Sequence, residues 1–202
     1  MEEINKFSAS DLIKRSCRQI WYLRWKHESY MSYAIEKGIK FQKKIAQHIG
    51  ECCEEQRSSL TKGNIVIFAC HDIITSDYVM EVKSYDPNKS EGAWFFNSCC
   101  LQTAFYKSIL ESTNGDTYTP KFRLRDGYKM QYKKVDPKLP YHLQFSDKQF
   151  NITVNGKDKI IDYFVNKAIA SLDKVDSLCW DMHHKHKEYD ELKQYFNVEE
   201  IL

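Results

Sequence analysis

The chain has 202 residues, with 30 Lys+Arg against 28 Asp+Glu, 42% hydrophobic and 14% aromatic residues, and only 7 Gly and 4 Pro. This length predicts one domain over residues 1–202, burying roughly 70% of the surface its unfolded form exposes, while the aromatic content and near-neutral charge exclude a disordered or collagen-like chain. No window approaches ~18 uninterrupted apolar residues, and the acids at Glu2 and Glu3 do not fit the basic start of a signal peptide; a soluble intracellular protein is expected, in the cytoplasm, the nucleus or a virus-infected cell.

Residues 8–56 read as helical. Ser8 and Asp11 fit a capping box, and Leu12, Ile13, Ile20, Trp21, Leu23 and Trp25 follow at near-helical spacing. A second helix is expected from Met31 to about Glu55 on Ile35, Ile39, Phe41, Ile45 and Ile49. Gly38 in its middle costs up to ~1 kcal/mol and predicts a neighbour packed closely on the backbone. The texture changes at Gly63. Residues 64–70 form a β-branched apolar run, and 78–83 follow a turn expected at Thr75-Ser76-Asp77, which predicts two adjacent strands ending before Pro87 and Asn88. Residues 91–111 read as a helix broken at Asn114-Gly115-Asp116. Alternation within 121–154 predicts further strands, ended by Asn155-Gly156; Ile160 to about Met182 is a helix, and Tyr189–Phe196 a second short one. The order is that of a mixed α/β domain without the regular alternation of a doubly wound sheet. No GxGxxG or Walker A sequence occurs.

The seven cysteines are odd in number, and Cys52–Cys53 and Cys99–Cys100 are adjacent, so reduced thiols are expected. With no CxxC and only Cys179 beyond residue 100, a zinc finger is not.

The chemistry concentrates in His71-Asp72 and Glu81-Val82-Lys83. On a strand, Glu81 and Lys83 share one face while Met80 and Val82 enter the core. Asp72, near the end of the neighbouring strand, is close enough to join them. Two carboxylates and a lysine form an oxygen-rich site suited to Mg²⁺ or Mn²⁺. Alone, an E-x-K pair is more often a solvated ladder of opposite charges, and His71 is equally well an ordinary polar residue at a strand end. Gln102 and Tyr106, four apart on the next helix, share a face. Alone they read as an ordinary amphipathic stripe; the ordered set of D, E-x-K and Q-x-x-x-Y is harder to reach by accident.

Four pieces in this order resemble the PD-(D/E)XK nuclease superfamily, in its RecB-like branch of CRISPR-associated, mitochondrial and viral exonucleases. They are residues 8–22, with Ser8, Ser10 and Cys17; Gly38-Ile39-Lys40-Phe41-Gln42; Asp72 with Glu81-Val82-Lys83; and Gln102 to Tyr106. The resemblance covers about residues 8–106. It implies a restriction-endonuclease-like central sheet flanked by helices, and a metal-dependent exonuclease hydrolysing DNA in recombination, repair or replication. By this resemblance Asp72, Glu81 and the Val82 carbonyl hold the divalent metal, Lys83 positions or activates the attacking water, and Gln102 and Tyr106 steady the DNA strand, single or at a duplex end. Gln42 stands where the family places a histidine and is a poorer metal ligand; His48, six residues on, faces another way on a helix. Several relatives carry an iron–sulfur cluster on one N-terminal and three C-terminal cysteines. Cys17 and Cys179 alone do not make that set, so no iron–sulfur cluster is expected.

Charge adds modest support for a polyanion. Residues 14–26 carry Lys14, Arg15, Arg18, Arg24 and Lys26 without an acid, and Arg18 is the candidate nucleic-acid contact among them. Residues 121–138 hold seven basic residues against Asp126 and Asp136. Solvated charged faces explain both equally well. The triad His183, His184 and His186 reads as exposed polar residues. The competing reading of the whole chain is a nuclease-like fold that no longer cuts and binds DNA or protein; a thiol- or histidine-dependent enzyme is a third.

Overall fold

The computed structural model describes residues 4–14, 33–85, 92–123, 127–172 and 188–201. Its spine is β3 (Ile65–Ile74), where Ile65, Ile67 and Ala69 are buried and Val66, Phe68 and Cys70 are half-buried, the period of a strand with one face in the core. β2 (Cys53–Lys62) pairs antiparallel along all of it, from Cys53 opposite Ile74 to Lys62 opposite Ile65. Two strands share the other edge. β1 (Asn5–Ser8) runs parallel to the first half of β3, and β4 (Val79–Lys83) takes the second half antiparallel through Ile73–Met80 and Ile74–Val79.

From β4 the sheet continues through β7 (Tyr141–Phe145, parallel), β8 (Lys148–Val154) and β9 (Phe196–Ile201). From β2 it continues through β5 (Asp116–Arg123) and β6 (Gly127–Lys134). The fold is α/β: a nine-stranded, mostly antiparallel sheet, ordered β6-β5-β2-β3-β4-β7-β8-β9 with β1 on β3, flanked by helices. These are α1 (Ala9–Lys14), α2 (Tyr33–Ile49), α3 (Gly92–Ser112) and α4 (Lys157–Leu172).

Every residue of α3 from Cys99 to Leu110 is buried, because the helix packs against β2, β3, β7 and β8 and also against α1 and α4. Phe105 stacks on Phe164 of α4 at 4.2 Å. The main core gathers Leu12, Ile67, Phe105, Ile109, Tyr141, Leu143 and Phe164, each such side chain stabilising by roughly 1.5–3 kcal/mol. A second small core under α2 holds Ala46, Ile73, Met80 and Val82. β4 therefore lies between two cores, with Val79 in the first and Met80 and Val82 in the second.

Three local expectations are corrected, and one strand is added that the sequence reading did not include. The second helix stops at Ile49, not near Glu55, because Gly50 at φ 84° donates to Ala46 O (3.0 Å) and turns the chain; residues 53–62 are strand β2. Its alternation is real but its inward residues Gln56 and Ser58 are polar, which hid it. Gly38 has nothing within 4 Å of where a Cβ would stand, so no close neighbour explains it. Residues 5–8 form a strand before Ser8 leads into α1. At the far end a 3₁₀ turn (Lys193–Tyr195) leads into β9, so Phe196 starts a strand instead of ending a helix.

The break at Asn114-Gly115-Asp116 occurs as read: Gly115 has φ 79°, and a Cβ there would lie 1.6 Å from Val135 O. The five described cysteines are in no disulfide with one another. Among the described residues no helix is long and apolar enough to cross a membrane. Cys17, Arg18 and most of the first basic stretch, Pro87 and Asn88, Cys179 and the His183–His186 cluster lie outside the described residues.

Candidate functional site

β3 and β4 separate just beyond Ile73–Met80. Continued regularly, that register would set Asp72 opposite Glu81. Instead the Val82 amide donates to Asp72 Oδ2 at 2.8 Å, so a carboxylate fills the gap a ladder carbonyl would otherwise occupy. On the other side of β3, Glu55 interrupts the β2 ladder at the position opposite Asp72, with φ 55°. Non-glycine residues at positive φ cost ~1–3 kcal/mol and concentrate at functional sites.

Glu81, only 1% exposed, accepts from Gln102 Nε2 at 2.8 Å and from the Lys83 ammonium through the same Oε1. Lys83 Nζ also lies 3.7 Å from Asp72 Oδ2 and 3.5 Å from Val82 O. Burial alone would pull the Lys83 pKa down; Glu81 and then Asp72 outweigh it and hold it well above the ordinary lysine value. Between these carboxylates the Lys83 ammonium is a charged donor suited to orienting a water or a phosphate oxygen.

Gln102 and Tyr106, 2% and 3% exposed, meet through Gln102 Nε2 to Tyr106 Oη at 2.9 Å. The Tyr106 phenol is raised well above its usual pKa by burial and by Glu81, and it shares a hydrogen bond with Ser10, whose Oγ is 2.8 Å from Ser8 Oγ. A continuous polar chain thus runs from the start of α1 to Glu81. Its members are turned to Glu81, so Gln102 and Tyr106 set that carboxylate's position from behind. Gln102 Oε1 is buried with no hydrogen-bond partner among the described groups.

Gln42 reaches the site from α2, donating to the Asp72 carbonyl at 3.2 Å and not to either carboxylate. His48 is exposed. His71 lies inside β3, fully buried between Ser58 Oγ and Tyr141 Oη, each 2.7 Å from a ring nitrogen. Burial lowers its pKa to about 3, so it is a neutral core residue flooring the site. Ser58 and Tyr141 carried no sequence signal, since their partners are remote along the chain.

Asp72 Oδ2, Glu81 Oε1 and Val82 O all lie beside the Lys83 ammonium and so close to one another. Two anionic oxygens and a carbonyl are a hard donor set, and the residues present fit Mg²⁺ or Mn²⁺. Among the described residues no group of three or more His, Cys, Asp or Glu assembles. Binding by one or two carboxylates, with waters and substrate phosphates completing the shell, is the usual Mg²⁺ arrangement.

The chain matches no protein-family model. It matches no curated protein. A solved structure described as "Crystal structure of SSO0001" is similar at 16% identity over 88% of this chain and 80% of that one, with a TM-score of 0.47. The functional reading therefore rests on the site's own geometry.

Proposed function

We propose that the chain is a metal-dependent nuclease hydrolysing DNA phosphodiester bonds, an exonuclease serving recombination, repair or replication, on a restriction-endonuclease-like sheet. The observation that carries this reading is the meeting of Asp72, Glu81, Lys83 and the Val82 carbonyl where β3 and β4 part. Asp72, Glu81 and Val82 would hold Mg²⁺ or Mn²⁺, which when bound would supply Lewis acidity at the phosphoryl oxygen and make water a better nucleophile. Lys83 donates to the water or to a phosphate oxygen, and Gln102 keeps Glu81 in place. In the reaction a water oxygen bonds to phosphorus, the bond to the leaving nucleoside oxygen breaks, and that oxygen takes up a proton.

The test uses end-labelled linear and circular DNA with the purified protein and Mn²⁺ or Mg²⁺. Linear DNA is degraded from its ends, and Asp72→Asn and Lys83→Ala each lower the rate by roughly two orders of magnitude with unchanged circular dichroism. Wild-type protein with no activity, or variants as active as wild type, would overturn the reading. Gln42, which bonds to the Asp72 backbone and leaves two carboxylates at the site, favours a second reading, a DNA- or protein-binding module that does not cut. Calorimetry separates the two, since that module takes up no Mn²⁺ at millimolar concentration.

A further inference from the structure

Beside Asp72 lies a row of side chains that the hydrolytic site does not use. Cys70 of β3 is opposite Arg57 of β2, Arg57 is opposite Tyr118 of β5, and Tyr118 is opposite Tyr132 of β6. Residues directly opposite in a sheet project to the same side, so the four stand in line across the strands. This side is the one away from the main core, since the intervening Gln56, Ser58, Leu60 and Thr117 are buried on the other. Cys70, Arg57 and Tyr118 are half-buried and Tyr132 is 64% exposed.

The row begins two residues from Asp72 on the same strand, and Arg57 is hydrogen-bonded to the Cys70 thiol. The Arg57 guanidinium lies over the Phe68 ring, 5.7 Å from its centre. Exposed Lys134 sits two residues from Tyr132, on the same side. Asp116 opposes Lys134 and is hydrogen-bonded to the Tyr132 hydroxyl, and the exposed Glu55 stands two residues from Arg57.

We propose that Arg57, Tyr118 and Tyr132 form a path that leads an unpaired DNA strand to Asp72. A flat guanidinium takes a phosphate through two parallel hydrogen bonds, and tyrosine rings offer base-stacking surfaces that are sequence-tolerant. Three strand spacings span about 14 Å, the length of about four stacked nucleotides. In a duplex the base faces are already stacked on one another, so a ring row of this kind selects a single strand. The inference rests on the hydrolytic reading only for the strand's destination at Asp72.

The test is fluorescence anisotropy in EDTA with a labelled 20-nucleotide strand and with the same sequence as a duplex. Tyr132→Ala is expected to weaken single-strand binding about 5- to 100-fold and to leave duplex binding as in wild type. Arg57→Ala is expected to weaken it and to reduce the salt slope by about one. Lys148→Ala, an exposed residue of β8 paired with Glu200, changes neither. Wild-type protein that binds no single strand, Tyr132→Ala protein that binds it as wild type does, or equal losses on both DNA forms overturn the path. The two proposals fail separately. Tyr132-dependent binding without Mn²⁺-dependent cleavage sinks hydrolysis alone. Asp72-dependent cleavage indifferent to Tyr132 sinks the path alone.

Discussion

Asp72 joins β3 to β4 through its side chain, since its Oδ2 takes the Val82 amide hydrogen. An alanine there would remove a strand link as well as a ligand, which is why Asp72→Asn is the informative variant: an amide oxygen can still accept that hydrogen, so the melting temperature stays within a few degrees while cleavage is lost. Gln102 makes the complementary case. Gln102→Leu leaves the buried Glu81 without its amide donor, a loss of about 1–3 kcal/mol, and thermal melting should fall by roughly 2–4 °C per kcal/mol at this chain length. His71 sets a pH dependence. Its native pKa is about 3 against 6.5 for the ordinary group, so between those values the unfolded chain binds more protons and stability rises with pH. The contribution is complete above 6.5 and is lost on acidification towards 3, at about 1.4 kcal/mol per pH unit. In metal-free urea titrations from pH 7 to pH 4, His71→Gln should lose less stability than wild type; an equal slope would show that His71 is not held neutral.

At the scale of elements, two glycines give opposite predictions. Gly38, in α2 with open space at its Cβ position, should gain stability on Gly38→Ala by about 0.5–1 kcal/mol. Gly115, at φ 79° against the Val135 carbonyl, should lose more than ~2 kcal/mol on Gly115→Ala. Paired thermal melts check both. The elements legible in the sequence were those whose period is written in apolar residues: β3 from its β-branched run, β4 from the alternation of Met80 and Val82 with Glu81 and Lys83, and α3 as a long apolar segment. β2 was not, because its inward Gln56 and Ser58 are polar and hydrogen-bond to Thr119 and His71 on other strands. β1 and β9 are short, and pairing with β3 and β8 is what holds them extended.

For the whole molecule, the site lies where a parallel strand pair, β4 with β7, meets the antiparallel β3, between a large core and a small one. A cation bound there by the native state alone links to global stability. At one hundred times its dissociation constant, Mn²⁺ adds about 2.7 kcal/mol and should raise the melting temperature by several degrees; EDTA should reverse this, and Asp72→Asn should abolish it. A melting temperature indifferent to Mn²⁺ would favour the non-cutting module.

Backbone period acts locally, so the sequence by itself determined that Glu81 shares a strand face with Lys83 and that Gln102 lies one helical turn from Tyr106. It also determined the types of side chain available: two carboxylates, an ammonium, an amide and a phenol. Which of them meet was decided by the tertiary structure alone. The approach of Asp72 to the Val82 amide belongs to a hairpin of consecutive strands, but the bond from Gln102 to Glu81 depends on how α3 docks on the sheet, and the line from Arg57 to Tyr132 on the register of strands distant along the chain. That register is set by burying side chains from several elements at once, and no local stretch of sequence encodes it.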